Sequence, residues 1–370
     1  MKLFTYTLLI SLVACSSLVR KPKPKPVFTL NDFSKTVELK GEQITLRGIE
    51  FPTRLTVIPE KGIFMCFEGE YLSNKKLLHI YSIDSIKLLR SVINIGAGDG
   101  EVLGAFQLQY DNRNGGEVYI TDAQKQQIIV YKVDSLIAGK EKSFKIIGKP
   151  FSGRISFSMN DNRLARAVVI DTSYNFVDIR QSALNDSRML FNKYRSDFSV
   201  SDSFGLYPPT TEEVPAHLLS QVLIGCLSGS TDNKYLVYTA LSADYLSVYD
   251  TKGKMIASAI GPGELDVSYK IQKKGDGERI IPSSGRYGYG GNARINKGTI
   301  YALYNGKSMK TSGPASYHST ELFQFTYKLN PTIRYKLNIP ISSFDIDWRT
   351  KRLYGINKEG STPQLVIFQL

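Results

Sequence analysis

Glu117-Val118-Tyr119-Ile120-Thr121-Asp122, then a polar turn, then Ile128-Ile129-Val130-Tyr131-Lys132-Val133: this stretch decides the fold. β-Branched and aromatic side chains dominate both runs, and such residues suit a pleated, buried surface. The short polar segment between them predicts a hairpin. Working outward, the same pair of runs returns. First members lie at 62–67, 164–170, 234–238, 299–304 and 352–356, and second members at 77–83, 176–179, 245–249, 322–327 and 365–368. With Tyr81, Tyr131, Ile179, Tyr249, Phe325 and Phe368 as anchors, the steps are 50, 48, 70, 76 and 43 residues. Three of these match the 40–50-residue spacing of propeller blades. The two long steps hold polar, Pro- and Gly-rich stretches at 183–218 and 262–298, which read as inserts.

Six copies of one unit, with no helical periodicity beyond about residue 50, predict an all-β chain folded as a six-bladed β-propeller over 36–370. A single four-stranded blade cannot cover both of its faces, whereas radial stacking buries both. Residues 36–49 are placed to supply a strand that completes the last blade.

Composition agrees. Of 370 residues, 42% are hydrophobic and 22% charged, which excludes a disordered chain. Three cysteines exclude a disulfide scaffold, and three scattered histidines argue against a histidine-rich metal centre. The net charge of +13 is spread over the chain without a basic stripe or nucleic-acid motif, so no nucleic-acid partner is expected. A monomeric propeller is expected.

The N-terminus has a different character. Lys2 precedes a compact apolar stretch over 3–14, too short for a spanning helix and followed at once by Ser16 and Ser17. Leu12-Val13-Ala14-Cys15 resembles the lipobox of bacterial lipoproteins. That resemblance implies a signal peptide over 1–14 and a lipidated Cys15 as the membrane anchor. Residues 15–35 then read as a stalk. In it, Lys21-Pro22-Lys23-Pro24-Lys25-Pro26 favours extended polyproline II, since proline fixes φ and lacks an amide proton. By the same resemblance, Ser16 in place of aspartate implies the outer membrane. The basic rather than acidic stretch after the cysteine implies a periplasm-facing orientation.

Between the repeats stand Ile95-Gly96-Ala97-Gly98-Asp99-Gly100-Glu101 and Ile260-Gly261-Pro262-Gly263-Glu264. Together with strands that end Val-Tyr-x-x-Asp, these links resemble the TolB-like six-bladed propeller lipoproteins of Bacteroidetes, over roughly residues 40–370. The third repeat departs from the pattern, offering only Ile147-Gly148-Lys149-Pro150. The resemblance implies architecture and localisation rather than a substrate.

Candidate chemistry is sparse. Gly96–Gly100 lacks the helix and Lys-Ser/Thr that a phosphate loop needs. Asp111-Asn112-Arg113-Asn114-Gly115 has calcium-loop spacing, but Arg113 would repel the ion. His79, His217 and His318 have no flanking signature of a hydrolytic triad. Cys66 and Cys226 fall in opposite blades, too far apart to bridge, and are expected as buried thiols. No catalytic residue, metal ligand or cofactor site is assigned.

The strongest binding candidates lie in the two inserts: Arg286, Tyr287 and Tyr289 in the second, and Arg188, Tyr194 and Tyr207 in the first. Tyr and Arg anchor interfaces, and glycines beside them let a chain approach a surface closely. The sequence thus points to a lipid-anchored envelope protein acting as a non-catalytic binding scaffold for a protein or envelope polymer. The alternative it leaves open is a propeller hydrolase or lactonase-like metal enzyme with a site at the channel mouth.

Overall fold

A computed structural model describes residues 28–69, 75–148, 166–179, 189–208, 219, 223–263, 268–274, 277–284, 287–291, 293–308 and 318–370. The signal peptide, Cys15, the Lys-Pro repeat, Arg188, His217 and Arg286 lie outside the described residues.

Six four-stranded antiparallel blades surround one axis. Their innermost strands are Pro52–Ile58, Ala105–Asp111, Val168–Val169, Gly225–Gly229, Arg294–Asn296 and Ser343–Asp347. The hairpin that decided the fold is the middle of blade two, where Val118 pairs with Tyr131 and Tyr119 with Val130. All six residues of Glu117–Asp122 are buried, because both faces of the blade are covered. Alternation sorts them: Val118, Ile120 and Tyr131 pack against blade one, while Tyr119 and Val130 pack against blade three. The six hydrophobic clusters fall one to each interface between neighbouring blades. That radial stacking is what holds the ring.

The ring closes through the N-terminal segment. Glu42–Thr45 forms the outer strand of blade six, antiparallel to Gln364–Gln369, as 36–49 led us to expect. Lys35–Leu39 does something unforeseen: it adds a parallel fifth strand to blade five beside Pro331–Ile341. The folded unit also begins before residue 36. Phe28 and Phe33 are buried between blades four and five, stacking against Phe323 and Phe325. Residues 28–35 thus belong to the folded ring, because two aromatic side chains gain more by entering the core than by staying in water.

Blade three corrects the strand assignment, while the count of six repeats stands. Phe176–Ile179 is its second strand, not its third, and Met189–Tyr194 and Val200–Leu206 complete it. The described part of the expected 183–218 insert, residues 189–208, is thus the outer hairpin of a blade. The step of 70 residues arose from anchoring one strand too early. The 262–298 stretch does hold an extra hairpin, Ser268–Lys274 with Gly277–Ser284, but its end, Arg294–Asn296, is the inner strand of blade five. One short α-helix, Val133–Ile137, begins at Val133, where a strand end was expected. Cys66 and Cys226 are buried and free, and burial pushes the Cys66 thiol pKa far up.

Candidate functional site

In a propeller all inner strands run the same way along the axis, so alternate side chains point into the channel and the others into the cores between blades. Val57, Leu108, Val168, Ile295 and Ile346 go into five different interfaces. Their neighbours Thr56, Gln107, Gln109, Arg294, Asn296 and Asp345 line a cavity of about 560 Å³ on the axis. Its walls include Pro59, Asn112, Thr231, Lys297 and Trp348, which stand where inner strands turn into second strands. The mouth therefore opens at the end where the inner strands finish.

Polar groups in this channel tie the blades together. Gln109 of blade two donates from Nε2 to the Val169 carbonyl of blade three (2.9 Å) and accepts from its amide (2.8 Å). Gln107 reaches past the two-residue inner strand of blade three to the Leu227 carbonyl of blade four (3.1 Å). Asp345 of blade six accepts from the Val57 amide of blade one (2.8 Å) and from Arg294 Nε of blade five (2.6 Å). Arg294 Nη2 then donates to the Leu55 carbonyl (3.0 Å), so one ion pair clasps three blades. The other carboxylates of the lining are also engaged. Asp111 is gripped by Arg113 Nε (2.9 and 2.8 Å), and Glu60 accepts from the Tyr110 hydroxyl (2.5 Å). The calcium-like loop is thus an arginine-filled turn.

The candidates from sequence lie elsewhere. Tyr287 and Tyr289 precede the inner strand of blade five, and Tyr207 follows the outer strand of blade three, so all three stand at the opposite end from the mouth. Tyr289 is only 1% exposed and packs its ring against Tyr304 (5.5 Å). Tyr207 is buried in the cluster between blades three and four. Neither offers a surface contact: these rings are spent on the core. Gly288 explains the glycine-rich run. A Cβ there would stand 1.9 Å from the Ala243 carbonyl oxygen, and the Gly288 and Tyr289 amides donate to Leu241 and Ala240. The surface that these glycines let the chain approach is blade four itself. Tyr287 stays half-buried beside it. Tyr194 ends the third strand of blade three, at the other end of the blade, stacked on Phe176 (4.9 Å). The four described candidates, Tyr194, Tyr207, Tyr287 and Tyr289, form no common exposed patch, and Arg188 and Arg286 lie outside the described residues.

The two described histidines, His79 and His318, are tied into the protein's own hydrogen bonding. His79 Nδ1 meets Ser91 Oγ (3.0 Å), and its pKa is lowered, chiefly by burial. His318 Nε2 accepts the Lys358 amide (3.1 Å), and burial again lowers its pKa. The Gly96–Glu101 link is also self-contained. Glu101 Oε2 accepts the Gly98 amide (2.9 Å), and Lys125 Nζ donates to the Gly98 and Glu101 carbonyls (2.7 and 2.8 Å). Carbon at position 96 would sit 2.3 Å from the Glu101 carboxylate, which is why glycine precedes the acid there.

The cavity-lining residues escaped the sequence because they sit in the strand ahead of each recognised pair. The usable signal was a polar residue on either side of one aliphatic, as in Gln107-Leu108-Gln109 and Arg294-Ile295-Asn296.

Solved structures similar to this chain include a luciferin-regenerating enzyme, at 10% identity over 89% of this chain and 95% of that one, with a TM-score of 0.47. A virginiamycin B lyase from Staphylococcus aureus is similar at 12% identity over 90% and 99%, with a TM-score of 0.45. The Swd1 β-propeller domain of Myceliophteria thermophila is similar at 9% identity over 90% and 99%, with a TM-score of 0.44. No curated protein sequence matches. The family model described as TolB-like 6-blade propeller-like matches residues 32–349, which is most of the ring. This chain belongs to the TolB-like six-bladed propeller family.

Proposed function

We propose that this protein is a lipid-anchored envelope protein whose propeller serves as a non-catalytic binding scaffold, receiving part of a protein or envelope polymer at the open end of its channel. The observation that carries this is the condition of the cavity's carboxylates. Glu60, Asp111 and Asp345 are each held by a donor from the protein itself. A carboxylate that acts as general acid or base must reach the substrate's proton. These three instead fix strands and turns, leaving a rigid polar socket. A preformed concavity of about 560 Å³ lies within the usual 300–1,000 Å³ of ligand sites.

Leu12-Val13-Ala14-Cys15 and the Lys-Pro stalk support attachment to the outer membrane with the propeller in the periplasm. The test uses full-length protein in cells, with photo-crosslinking side chains at Asn233 and Lys297 on the mouth and at Tyr287 on the opposite end. Discrete adducts from the mouth positions are expected, and Cys15→Ser should abolish lipid labelling and release the protein from membranes. Adducts from Tyr287 alone would move the binding face to the other end of the ring.

A further inference from the structure

We infer that the ligand class of the channel cavity is a short uncharged saccharide, an inference that rests on the binding-scaffold role proposed above. Four features of the cavity converge on this. Formal charge in the lining is balanced: Glu60, Asp111 and Asp345 stand against Arg294, Lys297 and Arg349. With the carboxylates engaged and Arg294 bound to Asp345, there is no concentrated field to select an ion.

The aliphatic lining residues Val57, Leu108, Val168, Ile295 and Ile346 also pack into the blade interfaces, so the wall alternates apolar and polar surface, as a sugar ring with its C–H faces and hydroxyl rim does. The polar lining at the mouth is hydroxyl and carboxamide: Thr231, Asn233 and Asn296. These groups both donate and accept, matching the hydroxyls of a sugar.

The fourth feature is Trp348, the only tryptophan in the chain. It lines the same cavity, half-buried, its ring supported by Tyr301 (5.5 Å between centroids). An indole presents a flat apolar face beside a polar rim, the surface on which the C–H face of a sugar ring rests. Asp345 is clasped by Arg294 at the base and Asp111 by Arg113 at the wall, so the socket is fixed before any ligand arrives.

The single tryptophan supplies the test. Full-length protein is titrated with N-acetylchitotetraose, maltotetraose and cellotetraose, and in parallel with a polygalacturonate fragment and a polar peptide, following Trp348 emission. A saturable change with at least one uncharged oligosaccharide is expected, and none with the acidic one. Asn233→Ala combined with Asn296→Ala should weaken it at least tenfold. No response to any uncharged saccharide, or binding that survives these substitutions, would overturn the inference. Binding of the peptide alone would overturn the saccharide and leave the scaffold role standing. Silence from every probe, together with no adducts from the mouth crosslinkers, would sink both.

Discussion

At the scale of the residue, Asp345 concentrates more of the ring's organisation than any other side chain of the channel. Its carboxylate accepts the Val57 amide (2.8 Å), its neighbour Ile346's amide (2.8 Å) and the Arg294 guanidinium (2.6 Å). Removing it leaves a buried amide unpaired and a largely buried cation without its counter-charge. Breaking such a pair from one side costs about 3 kcal/mol, most of it the penalty on the groups left behind. Asp345→Ala should therefore lower the free energy of unfolding by that amount, read as a lower urea midpoint at unchanged m-value. Gln109→Ala, which takes its acceptor away from the buried Val169 amide, should cost about 1–2 kcal/mol. Equal, small effects for both would show that the clasp is not what joins blades five, six and one. None of this was legible in the sequence, since Asp345 sits in an ordinary Ser-Phe-Asp-Ile-Asp run whose partners are 51 and 288 positions away.

At the scale of the element, legibility followed burial. The second and third strands of each blade are covered on both faces, so they read as dense apolar runs such as 63–68 and 128–131. Outer strands face water on one side and carry few such residues, as in Val200–Leu206, whose pattern is mostly exposed or half-buried. That contrast explains why blade three was misregistered: its inner strand is two residues long, and its outer pair reads as polar insert. It also explains why the parallel strand Lys35–Leu39 went unseen, exposed along most of its length. The closing strand was found by position rather than composition, because a ring needs one. Its importance can be read by truncation. Cutting before Phe28 leaves every described contact of the ring in place, so cooperative melting should persist. Cutting before Leu46 removes Glu42–Thr45 and Lys35–Leu39, strips Phe28 and Phe33 from the core, and bares the edge of Gln364–Gln369. Each buried aromatic alone contributes about 1.5–3 kcal/mol. Loss of a cooperative transition and rapid proteolysis are expected for the shorter chain. A shorter chain that melts like the full one would mean that blade six is complete without its fourth strand.

At the scale of the whole molecule, the entry point of the chain and the mouth of the cavity lie at opposite ends of the ring. The Phe28 amide bonds to the carbonyl of Ile260, the last residue of the outer strand of blade four (3.3 Å). Outer strands run against inner strands within a blade, so Ile260 stands at the end where inner strands begin, while the mouth stands where they finish. From Cys15 to Phe28 the chain has 13 steps, a reach of at most about 45 Å when fully extended. A propeller tethered by a lipid on Cys15 would therefore leave the bilayer from its mouthless end and present the cavity to the space beyond, where an incoming polymer is not blocked by lipid. Trp348 at the mouth reports this directly, since bromine on acyl chains quenches only an indole in contact with them. For lipidated protein in vesicles, Trp348 emission should match between brominated and ordinary lipids and should still respond to a soluble quencher. Strong quenching by the brominated lipid would put the mouth against the membrane, and the cavity would then have to be approached from within the bilayer surface rather than from the periplasm.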